Sequence, residues 1–234
     1  MTVAALLLAA GRGERLGGDV PKAFVRLAGV PLLARALAAL TAAEAIDCVV
    51  PVIGAEDRAR WDALQRELEA GPKLLPAVVG GRERQDSMAA GLAALPPQVR
   101  HVAVHDAARP LVRPEAIDRV VRAGVRDGAA ILAVPAGDTI KRVRGGRVVE
   151  TPPRDECYIA QTPQVFAVEI LREALAKAVS AGCLGTDDAQ IVEALGVPVT
   201  VVLADVDNWK LTHPEDLAIA ERLLRRRTAP GGAA

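Results

Sequence analysis

The chain has no net charge: 29 Lys and Arg balance 29 Asp and Glu among 234 residues. A neutral chain carries no broad basic field to gather nucleic acid, and no acidic tail is present. Any polyanion it binds must therefore meet a local, focused cluster of cations. It also lacks a membrane segment. The apolar start at residues 3–8 has no basic stretch before it, is too short to span a bilayer, and runs into glycines and charges. A buried parallel strand explains it better than a signal peptide. Neither nucleic acid nor membrane is expected as a partner. Cysteine is scarce. Cys48, Cys157 and Cys183 are odd in number, far apart and in no Cys-x-x-Cys or Cys/His spacing. They read as reduced thiols of a cytoplasmic protein. Lysine is sparse too, with only Lys22, Lys73, Lys141, Lys177 and Lys210. Lysine is a compact point charge where arginine is a planar fork. Lys22, Lys141 and Lys210 fall in segments marked by glycine or proline, and so draw notice in an arginine-rich chain.

What is present is an alternation of short β-branched apolar runs with longer amphipathic ones. Residues 3–8, 46–53, 73–79, 99–104 and 129–134 read as strands, the third near an edge because of Pro76. Residues 31–40, 55–69, 84–95 and 114–126 read as helices. This order predicts an α/β fold with a single doubly wound, mostly parallel sheet. After Pro135 the pattern breaks. Residues 139–143 and 147–150 flank Gly145 and Gly146 as a β-hairpin would. A proline-rich stretch follows. An inserted β-arm at about 136–160 is expected, then helices at 168–179 and 187–195, a strand at 199–203 and a helix at 214–224. Residues 1–227 are read as one domain, and 228–234 as a frayed tail.

Four strings follow or join these elements at places where open α/β sheets bind ligands. Leu8-Ala9-Ala10-Gly11-Arg12-Gly13-Glu14-Arg15-Leu16, with Pro21-Lys22 after it, joins small residues to three cations directly after the first strand. Small residues let backbone N–H groups approach phosphates, and cations supply charge beside them. Leu16 stands where a dinucleotide fingerprint needs its third glycine, and no P-loop is present. His105-Asp106-Ala107-Ala108-Arg109-Pro110 ends another strand. Asp106 is placed to hold Mg²⁺ or another divalent cation near phosphates. Equally, it could cap a turn and pair with Arg109. His105 reads as structural. Gly80-Gly81-Arg82-Glu83-Arg84-Gln85-Asp86-Ser87 opens a helix and reads as an ordinary helix start as well as a nucleotide contact. Asp207-Asn208-Trp209-Lys210-Leu211-Thr212-His213-Pro214-Glu215-Asp216 leads into the last helix. A helix start explains its second half but not Lys210. Thr139, Arg154, Gln161-Thr162-Pro163-Gln164 and Thr186-Asp187-Asp188 add hydroxyls and cations that suit a hydroxylated phosphate ester. They would equally suit a solvent-facing arm.

Together these strings resemble, in order and over essentially the whole chain, the 2-C-methyl-D-erythritol 4-phosphate cytidylyltransferases of non-mevalonate isoprenoid synthesis. Leu8, where many members have proline, and Arg82, where some have an acidic residue, depart from the pattern. The resemblance implies a Rossmann-like nucleotidyltransferase fold. It also implies that Ala9, Ala10, Gly11, Gly81, Ser87 and Ala107 line a CTP site. Arg15, Lys22 and Lys210 would neutralise the reacting phosphates, and Asp106 would sit at the junction of metal and substrate. Arg109, Thr139, Arg154, Thr162 and Thr186 would recognise the methylerythritol phosphate. It further implies a homodimer, with the arm of one subunit reaching toward the other's site. A phosphate monoester dianion is already a nucleophile, so such a reaction needs positioning and charge more than a general base. The sequence matches that need with cations, small-residue loops and one carboxylate. Two other readings remain: a cytidylyltransferase for another polyol phosphate such as ribitol 5-phosphate, and a non-catalytic nucleotidyltransferase-like regulatory subunit, against which the retained Arg15, Lys22 and Lys210 speak. An NAD-dependent oxidoreductase is disfavoured by the broken fingerprint.

Overall fold

The computed structural model describes residues 2–11, 20–68 and 71–228. In chain order the elements are β1 (Thr2–Ala9), a small hairpin of β2 (Arg26–Leu27) and β3 (Val30–Pro31), α1 (Leu32–Ala42), β4 (Cys48–Ile53), α2 (Arg58–Glu67), β5 (Val78–Val79), α3 (Arg84–Ala93), β6 (Val99–Asp106), α4 (Pro114–Asp127) and β7 (Ala129–Pro135). Then follow β8 (Arg142–Arg144), β9 (Arg147–Glu150), β10 (Tyr158–Ala167), α5 (Val168–Ser180), α6 (Asp188–Glu193), β11 (Thr200–Leu203) and α7 (Pro214–Thr228). Among the described residues, seven strands form one sheet in the order β11-β7-β10-β6-β1-β4-β5. All neighbours pair in parallel except β10, which runs antiparallel to both β6 and β7. The fold is α/β with a mostly parallel sheet, as the alternation of runs predicts.

The continuous apolar strands are explained by burial on both faces. Along β1, Val3, Ala5 and Leu7 enter one core, which α1, α2 and α4 complete with Leu33, Trp61 and Val120. Ala4, Leu6 and Leu8 enter a second core, shared with Met88 of α3, Leu171 of α5 and Ile191 of α6. A third, smaller cluster joins Leu27, Leu32, Leu111 and Leu211 to Ala220 of α7.

Two strands differ from the expectation. The strand expected at 73–79 is only Val78–Val79, with Leu74 making an isolated bridge to Val49. Pro76 between them cannot donate to a ladder. The stretch read as a proline-rich connection contains β10, a ten-residue strand in the middle of the sheet. Pro163 is accommodated there because the pairing with β7 shifts register between Ala160 and Gln164. The hairpin of β8 and β9 turns at Gly145 and Gly146, both at positive φ. The last helix runs further than the expected 214–224 and takes in Thr228, the first residue of the expected frayed tail. The tail from residue 229 onward lies outside the described residues.

The direction of winding matters for function. From β1 the chain moves through β4 to β5 on one side, then crosses to β6 on the other. The strand order therefore reverses between β1 and β6, and a crevice opens beyond the carboxyl ends of these two strands. In open α/β sheets, that crevice is where ligands bind.

Candidate active site

Leu8 pairs with Asp106 across β1 and β6, and the Ala107 N–H donates to the Leu8 carbonyl at 3.0 Å. The small-residue loop after β1 and the Asp106 string are thus neighbours. Ala9, Ala10, Gly11, Gly81, Ser87 and Ala107 line one cavity of about 230 Å³, together with Lys22, Arg84, Asp106 and Lys210. Arg109, Thr162 and Thr186 line a second of about 250 Å³, in which Arg84, Asp106 and Lys210 appear again. Those three side chains form the wall between two compartments of similar size. Thr139 and Arg154 line neither compartment and are exposed on the arm. Arg15 lies outside the described residues.

The Gly80-Gly81 turn requires glycine. A Cβ at Gly80 would meet the Ala10 Cβ and the Ser87 Oγ, both at 2.6 Å, and a Cβ at Gly81 would collide with the Asp86 Cβ. The turn leads into α3 through a reciprocal cap in which Glu83 and Asp86 each bond the other's backbone. Ser87 accepts the Gly81 N–H at 3.2 Å, which fixes the turn against the helix.

Asp106 accepts from Arg84 Nε at 3.1 Å on Oδ1 and from Lys210 Nζ at 2.7 Å on Oδ2. Burial by itself would raise this carboxyl. Arg84 and then Lys210 outweigh burial and hold it well below the usual carboxylate range, so it is ionised at neutral pH. Arg84 also donates through Nη1 to Asp188 Oδ1 at 2.7 Å. Burial works against the Arg84 charge, but the two carboxylates together raise its affinity for the proton. The alternative in which Arg109 pairs with Asp106 is corrected. The Arg109 guanidinium donates to the Asn208 carbonyl at 2.9 Å and to the Ala160 carbonyl at 3.3 Å.

His105 is fully buried. It is within 2.9 Å of Thr162 Oγ1 through Nδ1 and within 3.2 Å of the Arg109 carbonyl through Nε2. Thr162 Oγ1 also accepts the Asp106 N–H at 3.1 Å. Burial lowers the imidazole pKa to about 4. Gln164 accepts the Asp188 and Ala189 N–H groups at 3.1 and 3.0 Å, and so ties α6 to β10. Lys22 opens a short 3-10 turn, Lys22–Phe24, at the mouth of the first cavity. Lys210 is held between two anchored neighbours. Asn208 is buried and donates to Gln161 Oε1 at 2.8 Å, while buried Leu211 donates its N–H to the Ala108 carbonyl at 2.9 Å.

Two residues matter here that carried no individual role in the sequence. Asn208 is legible only as part of its string. Arg84 did leave a signal. It is the first residue of α3, where the helix dipole disfavours a cation, so its presence calls for a reason other than the helix. Its partners lie 22 and 104 residues away.

A divalent cation can be weighed against this donor set. Among the described residues there is no group of three or more His, Cys, Asp or Glu side chains able to hold a metal. The chain would contribute the Asp106 carboxylate, leaving water and substrate phosphate to complete the shell. One carboxylate completed by water and phosphate is a habitual shell for Mg²⁺, but Arg84 and Lys210 already engage both Asp106 oxygens, so a cation there has to share Asp106 with them or displace one. Among the described residues no helix is long and apolar enough to cross a membrane.

Comparison with known proteins gives the family. The family model IspD, 2-C-methyl-D-erythritol 4-phosphate cytidylyltransferase, matches residues 3–226. The chain is 43% identical over 229 residues to the 2-C-methyl-D-erythritol 4-phosphate cytidylyltransferase of Pelotomaculum thermopropionicum, covering 96% of this chain and 95% of that one. The solved structure of the same-named protein from Thermus thermophilus is 36% identical, with a TM-score of 0.78 over 96% of this chain and 100% of that one. The 4-diphosphocytidyl-2C-methyl-D-erythritol synthase of Anaerococcus prevotii superposes with a TM-score of 0.86 at 28% identity, over 96% of each chain. With a family model matching residues 3–226 and a relative 43% identical over nearly the full length, this chain belongs to the 2-C-methyl-D-erythritol 4-phosphate cytidylyltransferase family.

Proposed function

We propose that the chain transfers the cytidylyl group of CTP to 2-C-methyl-D-erythritol 4-phosphate, giving 4-diphosphocytidyl-2-C-methyl-D-erythritol and pyrophosphate. The observation that carries this reading is the shared wall of Arg84, Asp106 and Lys210 between two cavities at the switch point. A two-substrate phosphoryl transfer needs such a junction. One compartment, floored by backbone and small side chains, suits a nucleotide. The other, with Arg109, Thr162 and Thr186, suits a hydroxylated phosphate ester.

An oxygen of the acceptor phosphate attacks the α-phosphorus of CTP. The new P–O bond forms as the bond to the β-phosphate oxygen breaks, and that oxygen leaves with the electron pair as pyrophosphate. The acceptor dianion needs no general base, so the work falls to charge and alignment. Lys22 and Lys210 bring charge to the phosphates, with Arg15 as a third cation. Small residues at Ala9, Ala10, Gly11 and Ala107 leave room for close approach, and Gly81 and Ser87 face the nucleotide. Asp106 would hold Mg²⁺ or another divalent cation, which when bound neutralises phosphate charge. Thr139 and Arg154 belong to this reading as acceptor contacts, supplied across a homodimer. The reading includes one nucleotidyltransferase domain over residues 1–227 with the arm at about 136–160, and a cytoplasmic location.

The test is a panel of nucleoside triphosphates against polyol phosphates, reading pyrophosphate. CTP with 2-C-methyl-D-erythritol 4-phosphate should give the fastest release, and a strong chelator should stop it. Silence with that pair would defeat the reading, and faster release with ribitol 5-phosphate would change the acceptor.

A further inference from the structure

Asp188 is a buried carboxylate that the transfer chemistry leaves without a task. It is 2% exposed and opens α6. A buried charge persists only when paired, and its side-chain partner is Arg84 Nη1, at 2.7 Å from Oδ1. The pairing is one-sided. Among the described residues, Asp188 Oδ2 and Arg84 Nη2 are both buried without a hydrogen-bond partner. A guanidinium facing a single carboxylate tends to take both oxygens in a fork. Arg84 instead divides itself, with Nε on Asp106 Oδ1 at 3.1 Å and Nη1 on Asp188 Oδ1 at 2.7 Å. The other Asp106 oxygen, Oδ2, is thereby left to Lys210 Nζ at 2.7 Å.

We propose that Asp188 is a positioning residue for the transfer: it holds Arg84 back from closing as a fork on Asp106, so that Oδ2 stays turned to Lys210 and to the wall shared by both cavities. Burial pushes the Asp188 carboxyl upward and the Arg84 guanidinium opposes that. With Asp188 ionised by this contact, the four groups alternate in sign along Asp188, Arg84, Asp106 and Lys210. Without Asp188 the Arg84 charge falls wholly on Asp106. The fork then covers Oδ2 and displaces Lys210 from the place where two polyanions must meet. Asp188 touches neither substrate in this arrangement and acts through Arg84. A purely architectural ion pair between α3 and α6 would have a different signature, because its loss would not depend on whether residue 84 can fork.

The inference rests on the proposed reaction, so the unmodified chain is first assayed with CTP and 2-C-methyl-D-erythritol 4-phosphate. Failure there removes the functional reading and this inference with it, whereas a failure confined to the Asp188 variants leaves that reading intact. With activity in hand, Asp188→Ala should lower kcat on the order of 10- to 100-fold while the KM for CTP moves less than about threefold. Asp188→Asn, which keeps an acceptor oxygen and the shape, should lose about fivefold. Lysine cannot fork. In an Arg84→Lys background, Asp188→Ala should therefore add less than about threefold, because the two changes act on one contact. Turnover of Asp188→Ala within threefold of the unmodified chain overturns the proposal. So do losses from Arg84→Lys and Asp188→Ala that simply multiply. If Asp188→Ala does not fold, Asp188→Asn alone and with Arg84→Lys supplies the same comparison, and unchanged turnover in Asp188→Asn overturns it.

Discussion

Lys22 and Lys210 reach the first cavity from opposite ends of the chain. Neither side chain is part of a core cluster, so Lys22→Ala and Lys210→Ala should fold. Each removes a cation from the place proposed for the phosphates, a loss of on the order of 100- to 1000-fold in kcat. Turnover near normal at saturating substrates, in a variant of unchanged thermal stability, would remove that lysine from the mechanism. Lys210 is legible in the sequence because a helix start explains the residues after it and leaves the lysine unexplained. Arg84 is less so, since its partners are distant in sequence and only the sheet brings them together. His105 makes a separate prediction. Its folded pKa of about 4 lies below the ordinary value of 6.5. As pH falls, the unfolded chain takes up the proton first, so this group costs stability from about pH 6.5 down to about pH 4. The cost at pH 4.5 is on the order of 2–3 kcal/mol. Urea unfolding of the unmodified chain and of His105→Gln should therefore converge by about that much between pH 7 and pH 4.5. A stability gap that stays constant with pH would show that His105 is not held neutral by the fold.

Elements place these residues through a few close contacts. The turn before α3 fits only because Gly80 has no side chain, with Ala10 on one side and Ser87 on the other. Gly80→Ala should push the loop after β1 away from α3. The expected result is a stability loss of about 1–3 kcal/mol together with a raised KM for CTP. Thermal unfolding and nucleotide titration check both. Wild-type values in each would mean that the turn yields without cost. The alternation of runs made the parallel strands readable, because double-sided burial writes a continuous apolar run. β10 is harder to read for a physical reason. Its proline, its polar Gln161, Thr162 and Gln164, and its antiparallel direction all argue against a central strand. Yet those polar side chains are buried because they bond His105, Asn208, Asp187 and the start of α6. The features that hide the strand in the sequence are the ones that build the second cavity.

At the scale of the whole molecule, the arm is the part that its own subunit does not cover. From Gly137 to Glu156 every residue except Pro152 is exposed, Ile140, Val143, Val148 and Val149 among them, and the exposed apolar surface continues onto Tyr158 and Ile159 at the start of β10. A two-stranded hairpin is marginal in water without a surface to pack on. The arm also carries Thr139 and Arg154 away from both cavities of its own subunit. A second copy related by a two-fold axis would answer both facts, since a symmetric interface uses one patch twice. The expectation is a homodimer in which each site combines its own Lys22 with the partner's Arg154. Mixing subunits tests this directly. Lys22→Ala and Arg154→Ala homodimers should each be inactive. In a hybrid with shared sites, one site has both changes and the other has neither, so each hybrid recovers at most half of normal activity. If Arg154 served its own subunit, both hybrid sites would be damaged and no activity would return. A fully active monomer at assay concentration would rule out sharing altogether, and the exposed apolar face of the arm would then need another explanation.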